Sequence, residues 1–182
     1  MSRRPVPFRE RRSEQGAREP RKRVLIVCEG AKTEPHYFLD ARARLRLATA
    51  SVQIVGGDKA GSSPSTLVEY ARSAAENDGD FDEVYCVFDR DEHADYDAAT
   101  SRCYDLDGRT VGETKICFRA ITSDPCFEYW LLLHFVDTDR PFTRSGRKTA
   151  ADCAVSEVKR HIRDYAKGRA ALFTELEHLL AA

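Results

Sequence analysis

Two apolar runs in this chain end in acids. Glu29 follows Val24-Leu25-Ile26-Val27-Cys28, and Asp89 and Asp91 follow Val84-Tyr85-Cys86-Val87-Phe88. Carboxylates drawn together repel, and protonation or a divalent cation is the usual relief. Oxygen-only donors favour Mg²⁺ or Mn²⁺ over zinc. The six cysteines form no Cys-x-x-Cys pair and no zinc spacing that would compete. Glu34, a turn of helix beyond Gly30, is placed to point back at the same pocket; an acid there is also favoured by the helix dipole alone, by ~0.3–1 kcal/mol. Lys32 in the Gly30 turn, Lys59 in a glycine-rich stretch and Arg90 between the two aspartates are candidates for phosphate contact. For the two lysines an ordinary solvated side chain is the competing reading.

Elements of a particular kind must position these groups. Val24–Cys28 and Glu83–Phe88 read as buried parallel strands, short, continuous and rich in β-branched residues. Thr33 is the expected N-cap of a helix reaching about Leu47, with Pro35 in its first turn. Ser51–Val55 reads as another strand and Gly56–Ser63 as a flexible loop. Ser63 then caps a helix opened by Pro64. The order β-α-β-α-β predicts an α/β fold, a mostly parallel sheet flanked by helices in one domain over 23–182. Ligands of such sheets bind outside the carboxyl ends of the strands. Further on, the sequence predicts a short helix near Asp95–Tyr104, a loop over Asp105–Glu113 and a fourth strand at Lys115–Ile121. A strongly apolar helix follows at Cys126–Phe135, then helices over about 149–165 and 170–181.

The net charge of −1 conceals an uneven distribution. Residues 1–23 carry nine Arg/Lys and three acids, whereas Glu76 to Asp97 holds ten acids and only Arg90 as a base. Residues 1–22 therefore read as a basic arm, disordered or resting on phosphates. No apolar run reaches the ~18 residues of a membrane span, and the arm lacks the apolar core of a secretory signal. Cysteines within apolar strand runs fit a reduced, cytoplasmic protein. Trp130 and Leu131–Leu133 are expected in the core, His134 as a packed or capping residue, and His93 as a loop residue rather than a ligand. Nothing marks Tyr85 or Tyr129 as a covalent nucleophile.

Four blocks carry a family resemblance over about 23–170. Cys28-Glu29-Gly30-Ala31-Lys32-Thr33-Glu34 resembles the EGxxTE signature of RloB-like proteins, and Phe88-Asp89-Arg90-Asp91-Glu92-His93 resembles their FDRDE signature. Ser123-Asp124-Pro125-Cys126-Phe127-Glu128 and the apolar run after it are similar to a third block, and Tyr165-x-Lys167 to a fourth. The resemblance implies a Toprim-like fold related to OLD-type nucleases. It also implies a Mg²⁺-dependent nuclease role on DNA or RNA in anti-phage defence and abortive infection, with an AAA/ABC-type ATPase partner. Metal-binding or proton-relay roles would fall on Glu29, Asp89 and Asp91. Glu34 and Glu128 would complete a two-metal site, and Lys167 would stabilise charge on the scissile phosphate.

Two alternatives accompany that implication. A non-catalytic sensor or adaptor working through an ATPase is one; the chain has no Walker A sequence, so a nucleotide-driven step would come from another protein. An aspartate-based phosphotransferase is the more distant second, because its Asp-x-Asp is expected on the first strand. Related chains are expected to extend further than Ala182, so an apolar edge covered by a partner or a second copy, hence self-association, is also anticipated.

Overall fold

The fold is seen in a computed structural model that describes residues 22–48, 51–78, 80–90 and 93–180. Four parallel strands, β1 (Val24–Cys28), β2 (Val52–Val55), β3 (Glu83–Asp89) and β6 (Cys117–Ser123), form one sheet in the order β2-β1-β3-β6. Cys28 lies opposite Val87, and Asp89 opposite Ser123, so the sheet ends almost flush at its carboxyl edge. Between β3 and β6, β4 (Thr110–Val111) and β5 (Thr114–Lys115) make a small antiparallel hairpin.

Alternation along the strands divides the interior into two cores. Leu25, Val27, Val84, Cys86 and Phe88 face one way and pack against α3 (Pro64–Asp78) and α4 (Tyr96–Leu106). Ile26, Cys28 and Val87 face the other way. They meet α1 (Thr33–Arg44), α5 (Phe127–Leu133), α6 (Ala150–His161) and α7 (Leu172–Leu176). The chain leaves β1 toward β2, then returns past β1 to β3. That reversal moves the crossover helix to the opposite face, as a single crossover hand requires. The gap between β1 and β3 is consequently the topological switch point of the sheet.

The expected α/β architecture is thus observed, with local corrections. Gly57–Ala60 forms a short helix, α2, inside the stretch expected to be a flexible loop. Gly57 comes so close to the first strand's end that a Cβ there would stand 1.8 Å from the Glu29 carbonyl oxygen. Helix α1 stops at Arg44 rather than Leu47. Its Thr33 side chain caps no local amide; its hydroxyl accepts from Gly168 N, 3.0 Å away. The fourth strand is Cys117–Ser123, shifted two residues, because the hairpin around Gly112 takes Thr114 and Lys115. The last two helices are shorter than expected. Asp164 and Ala171, both with positive φ, bound a turn-rich segment between them. Trp130 and Leu133 are each 39 % exposed, whereas Leu131 and Leu132 are buried, so only part of that apolar run is core. Among the described residues no helix is long and apolar enough to cross a membrane. Nearly all of the basic arm lies outside the described residues.

Candidate active site

Strand β1 ends at Cys28 because Glu29 and Gly30 turn the backbone into α1. The turn is held to its neighbour by Glu29 N, which donates to Val87 O at 2.9 Å. The Glu29 side chain crosses the same gap and accepts from Asp89 N through Oε2 at 3.0 Å. Its other oxygen, Oε1, lies 2.7 Å from His93 Nε2. Both oxygens of Glu29 are therefore engaged at the switch point. Gly30 leaves room for Glu34, which folds back from the first turn of α1: a Cβ on Gly30 would come within 2.1 Å of Glu34 Oε2.

The third carboxylate arrives from the far side of β3. Strand β6 ends at Ser123, whose carbonyl accepts from Arg90 N at 2.8 Å, and the Asp124–Pro125 bond that follows is cis. Helix α5 then begins at Phe127 and sets Glu128, only 2 % exposed, in its first turn. Burying a carboxylate this deeply demands partners. The Tyr165 hydroxyl donates to Glu128 Oε1 at 2.9 Å, and Lys167 Nζ lies 3.6 Å from the same oxygen.

The segment carrying Tyr165 and Lys167 is fastened to the first strand's turn. Gly168 N donates to Thr33 Oγ1, and Gly168 O lies 2.8 Å from His36 Nδ1. Gly168 has φ +79°, and a Cβ there would also press on Lys32 Cβ at 2.8 Å. Glycine at this position allows the late segment to approach closely enough to bring Lys167 in.

A pocket of about 450 Å³ results, lined by Glu29, Glu34, Asp89 and Glu128, with Lys32, Lys167, His93 and Ser62 at its walls. Its electrostatics reflect crowded, partly desolvated acids. Burial pushes the Asp89 carboxyl up to about 8; Glu34, Glu29 and Glu128 add to the effect, while the Phe127 backbone N–H opposes it. Burial raises Glu34 as well, opposed by its own backbone N–H and reinforced by Glu128. Burial alone would lower Lys167, but Glu128 and the other acids carry it above its ordinary value, keeping the ammonium charged. Cys28 and Cys126, beside the pocket, are pushed up by burial and then by Glu34 and Glu128 respectively, and so stay thiols. All six cysteines are free.

The structure thus gathers Glu29, Glu34, Asp89, Glu128, Lys32 and Lys167 around one cavity. Asp91 lies outside the described residues. Lys59, exposed on α2, and Arg90 do not line the pocket; Arg90 pairs with Asp124 at 3.3 Å and lies over the Tyr96 ring. His93 is a loop residue as expected, yet it contacts Glu29, which the preference for an uninvolved loop residue did not anticipate. Tyr165, part of the fourth block, acquires its contact with Glu128 from the fold. His134 is packed as expected, with Nδ1 3.0 Å from Trp130 O and Nε2 3.3 Å from the Tyr37 hydroxyl.

Among the described residues no three His, Cys, Asp or Glu side chains are grouped closely enough to hold one ion as they stand. The donor chemistry nevertheless fits a hard divalent cation: carboxylate oxygens, with two acids raised by burial and then by the neighbouring carboxylates, whose charge such an ion would offset.

Comparison with curated proteins and with solved structures returned no match. The model of one family, described as RloB-like protein, matches residues 24–180, and the chain belongs to that family.

Proposed function

We propose that the pocket hydrolyses phosphodiester bonds of nucleic acid with the help of Mg²⁺ or Mn²⁺. The observation that carries this reading is the meeting of Glu29 and Asp89 at the switch point of the parallel sheet, with Glu34 and Glu128 lining the same cavity. Glu29, Asp89 and Asp91 would hold the cation, with Glu34 and Glu128 at a second position. When bound, the ion polarises the phosphate and lowers the pKa of an attacking water. The chain's own groups supply the rest. Glu29 is held by the Asp89 N–H at one oxygen and by His93 Nε2 at the other. Lys167 faces negative charge developing on the phosphate, and Tyr165 orients Glu128. Lys32 at the mouth of the pocket is placed for the flanking phosphate.

The fold and the acid–lysine pocket agree with a Toprim-like relationship to OLD-type nucleases, and the family membership supports a role in anti-phage defence. Both belong to this proposal, as do a cytoplasmic location, a nearby AAA/ABC-type ATPase that would supply the nucleotide-driven step, and self-association. The test is cleavage of DNA, mRNA and tRNA with Mg²⁺ or Mn²⁺, with and without that ATPase. The double variant Asp89→Ala/Asp91→Ala should lose at least about 10²-fold in rate. Undiminished cleavage by this variant sinks the proposal.

A further inference from the structure

A second cavity, of about 440 Å³, lies between α6 and the loop that joins it to α5, and its charge is opposite to that of the acidic pocket. Arg140, Arg144, Lys148 and Arg160 line it, against Glu157 as the one carboxylate. Arg160 meets Glu157 at 2.7 Å, and Lys148 donates to a neutral group, Ser156 Oγ, at 3.0 Å. Arg140, Lys148 and Arg160 thus gather in one concavity of a chain whose net charge is −1. Such a concavity concentrates anions.

The walls of this groove are built rather than loose. Ser145 and Lys148 exchange two backbone bonds of 3.1 Å. Thr149 and Asp152 form a reciprocal capping box at the start of α6. At the other end the Tyr129 hydroxyl holds Thr138 O at 2.7 Å, and the Tyr129 ring meets Phe142 edge-on at 5.9 Å. Phe142 also lines the groove, adding an aromatic surface to a row of cations. Helix α5 links the two cavities: its Glu128 lines the acidic pocket, and the next residue, Tyr129, holds the loop that walls the groove. The basic groove and the acidic pocket therefore lie at neighbouring residues of α5.

We propose that the groove binds the phosphodiester backbone of single-stranded nucleic acid next to the acidic pocket, with Arg140, Lys148 and Arg160 on phosphates and Phe142 against a base. A basic channel with an aromatic platform suits unpaired strands, because every unstacked base offers a π face. The inference rests on the reading of the pocket as a phosphodiester site and names its substrate class.

Binding is read by fluorescence anisotropy on the full chain in EDTA, with labelled oligo-U, oligo-dT and duplex of about 20 nucleotides, across a NaCl series. In Arg140→Ala/Lys148→Ala/Arg160→Ala the slope of log affinity against log salt should shrink by about 2, from ~0.7 per phosphate contact on a single strand. The basic arm is present in both proteins, so it cancels from that difference. Comparison of oligo-U with oligo-dT separates RNA from DNA as the source of the strand. An unchanged slope and affinity, or a duplex bound more tightly than both strands, overturns the proposal. Should the variant fail to fold, lysine acetylation of the wild-type chain decides: oligonucleotide should protect Lys148 and leave exposed Lys115 reactive, and an unprotected Lys148 overturns the proposal. Binding through the groove with no cleavage in Mg²⁺ or Mn²⁺ would sink the hydrolase reading alone. Cleavage with unaltered binding by the triple variant would sink the groove alone.

Discussion

Asp89→Asn should flatten the pH dependence of the metal-free protein's stability. Burial and the acids around it raise the Asp89 carboxyl from 3.8 to about 8 in the folded chain. Between those values the folded protein keeps a proton that the unfolded chain has released. Stability is therefore greatest below the unfolded value and is lost as the pH rises toward the folded one. Each pH unit in that window costs about 1.36 kcal/mol, so the rise from about pH 5 to about pH 8 costs about 4 kcal/mol. Asparagine keeps the shape and a carbonyl acceptor for the Phe127 N–H, but it cannot ionise. Glu34, also raised, titrates in both proteins, so the difference between them reports Asp89. Urea unfolding in EDTA at several pH values measures it. The variant should gain on the wild type by about 4 kcal/mol between about pH 5 and about pH 8. Adding Mg²⁺ at the higher pH should then stabilise the wild type far more than the variant. Parallel stability curves, or a variant that loses ground as pH rises, would refute the account of a partly buried acid held protonated by its surroundings.

Two further substitutions separate the contributions of packing and charge. Tyr165→Phe removes the 2.9 Å donor to Glu128, which is almost fully buried, and should cost about 1–3 kcal/mol in urea unfolding. A double-mutant cycle with Glu128→Gln should show most of that loss as coupling between the two residues. Gly30→Ala and Gly57→Ala both crowd the site but should differ in stability. The first meets the mobile end of Glu34 and can push it into solvent at little cost; the second meets the fixed Glu29 carbonyl and should lose about 1–3 kcal/mol. Equal thermal shifts for the two would count against this distinction.

The central strands were legible because an apolar run stopped by an acid is the same signal in sequence and in space. Glu29 and Asp89 are therefore placed at the strand ends by sequence alone, the helical spacing after Gly30 adds Glu34, and the family blocks add Glu128 and Lys167. What could not be read were features decided by contacts between distant segments. Gly56–Ser63 has a loop's composition, yet Gly57 begins a helix because its missing side chain admits the Glu29 carbonyl. The alanine-rich, charged composition around residues 162–165 and 170–171 reads as helix, although Asp164 and Ala171 take up left-handed conformations. Trp130 belongs to an apolar run that helical geometry must divide. Positions 127, 128, 131 and 132 turn inward together, which leaves 130 and 133 outside. The pairing of His93 with Glu29 depends on two loops at the edge of the sheet, and no spacing in the chain encodes it.

Mn²⁺ binding followed by electron paramagnetic resonance tests the central claim most directly, because it asks whether these carboxylates act together before any substrate is involved. The wild-type chain is predicted to sequester Mn²⁺ and release it to Mg²⁺. Glu29→Gln and Asp89→Asn, each confirmed as folded, should weaken that binding by about 10-fold or more. Equal Mn²⁺ binding by the wild type and both variants, or none by the wild type at millimolar ion, would contradict a metal-dependent site at the meeting of β1 and β3.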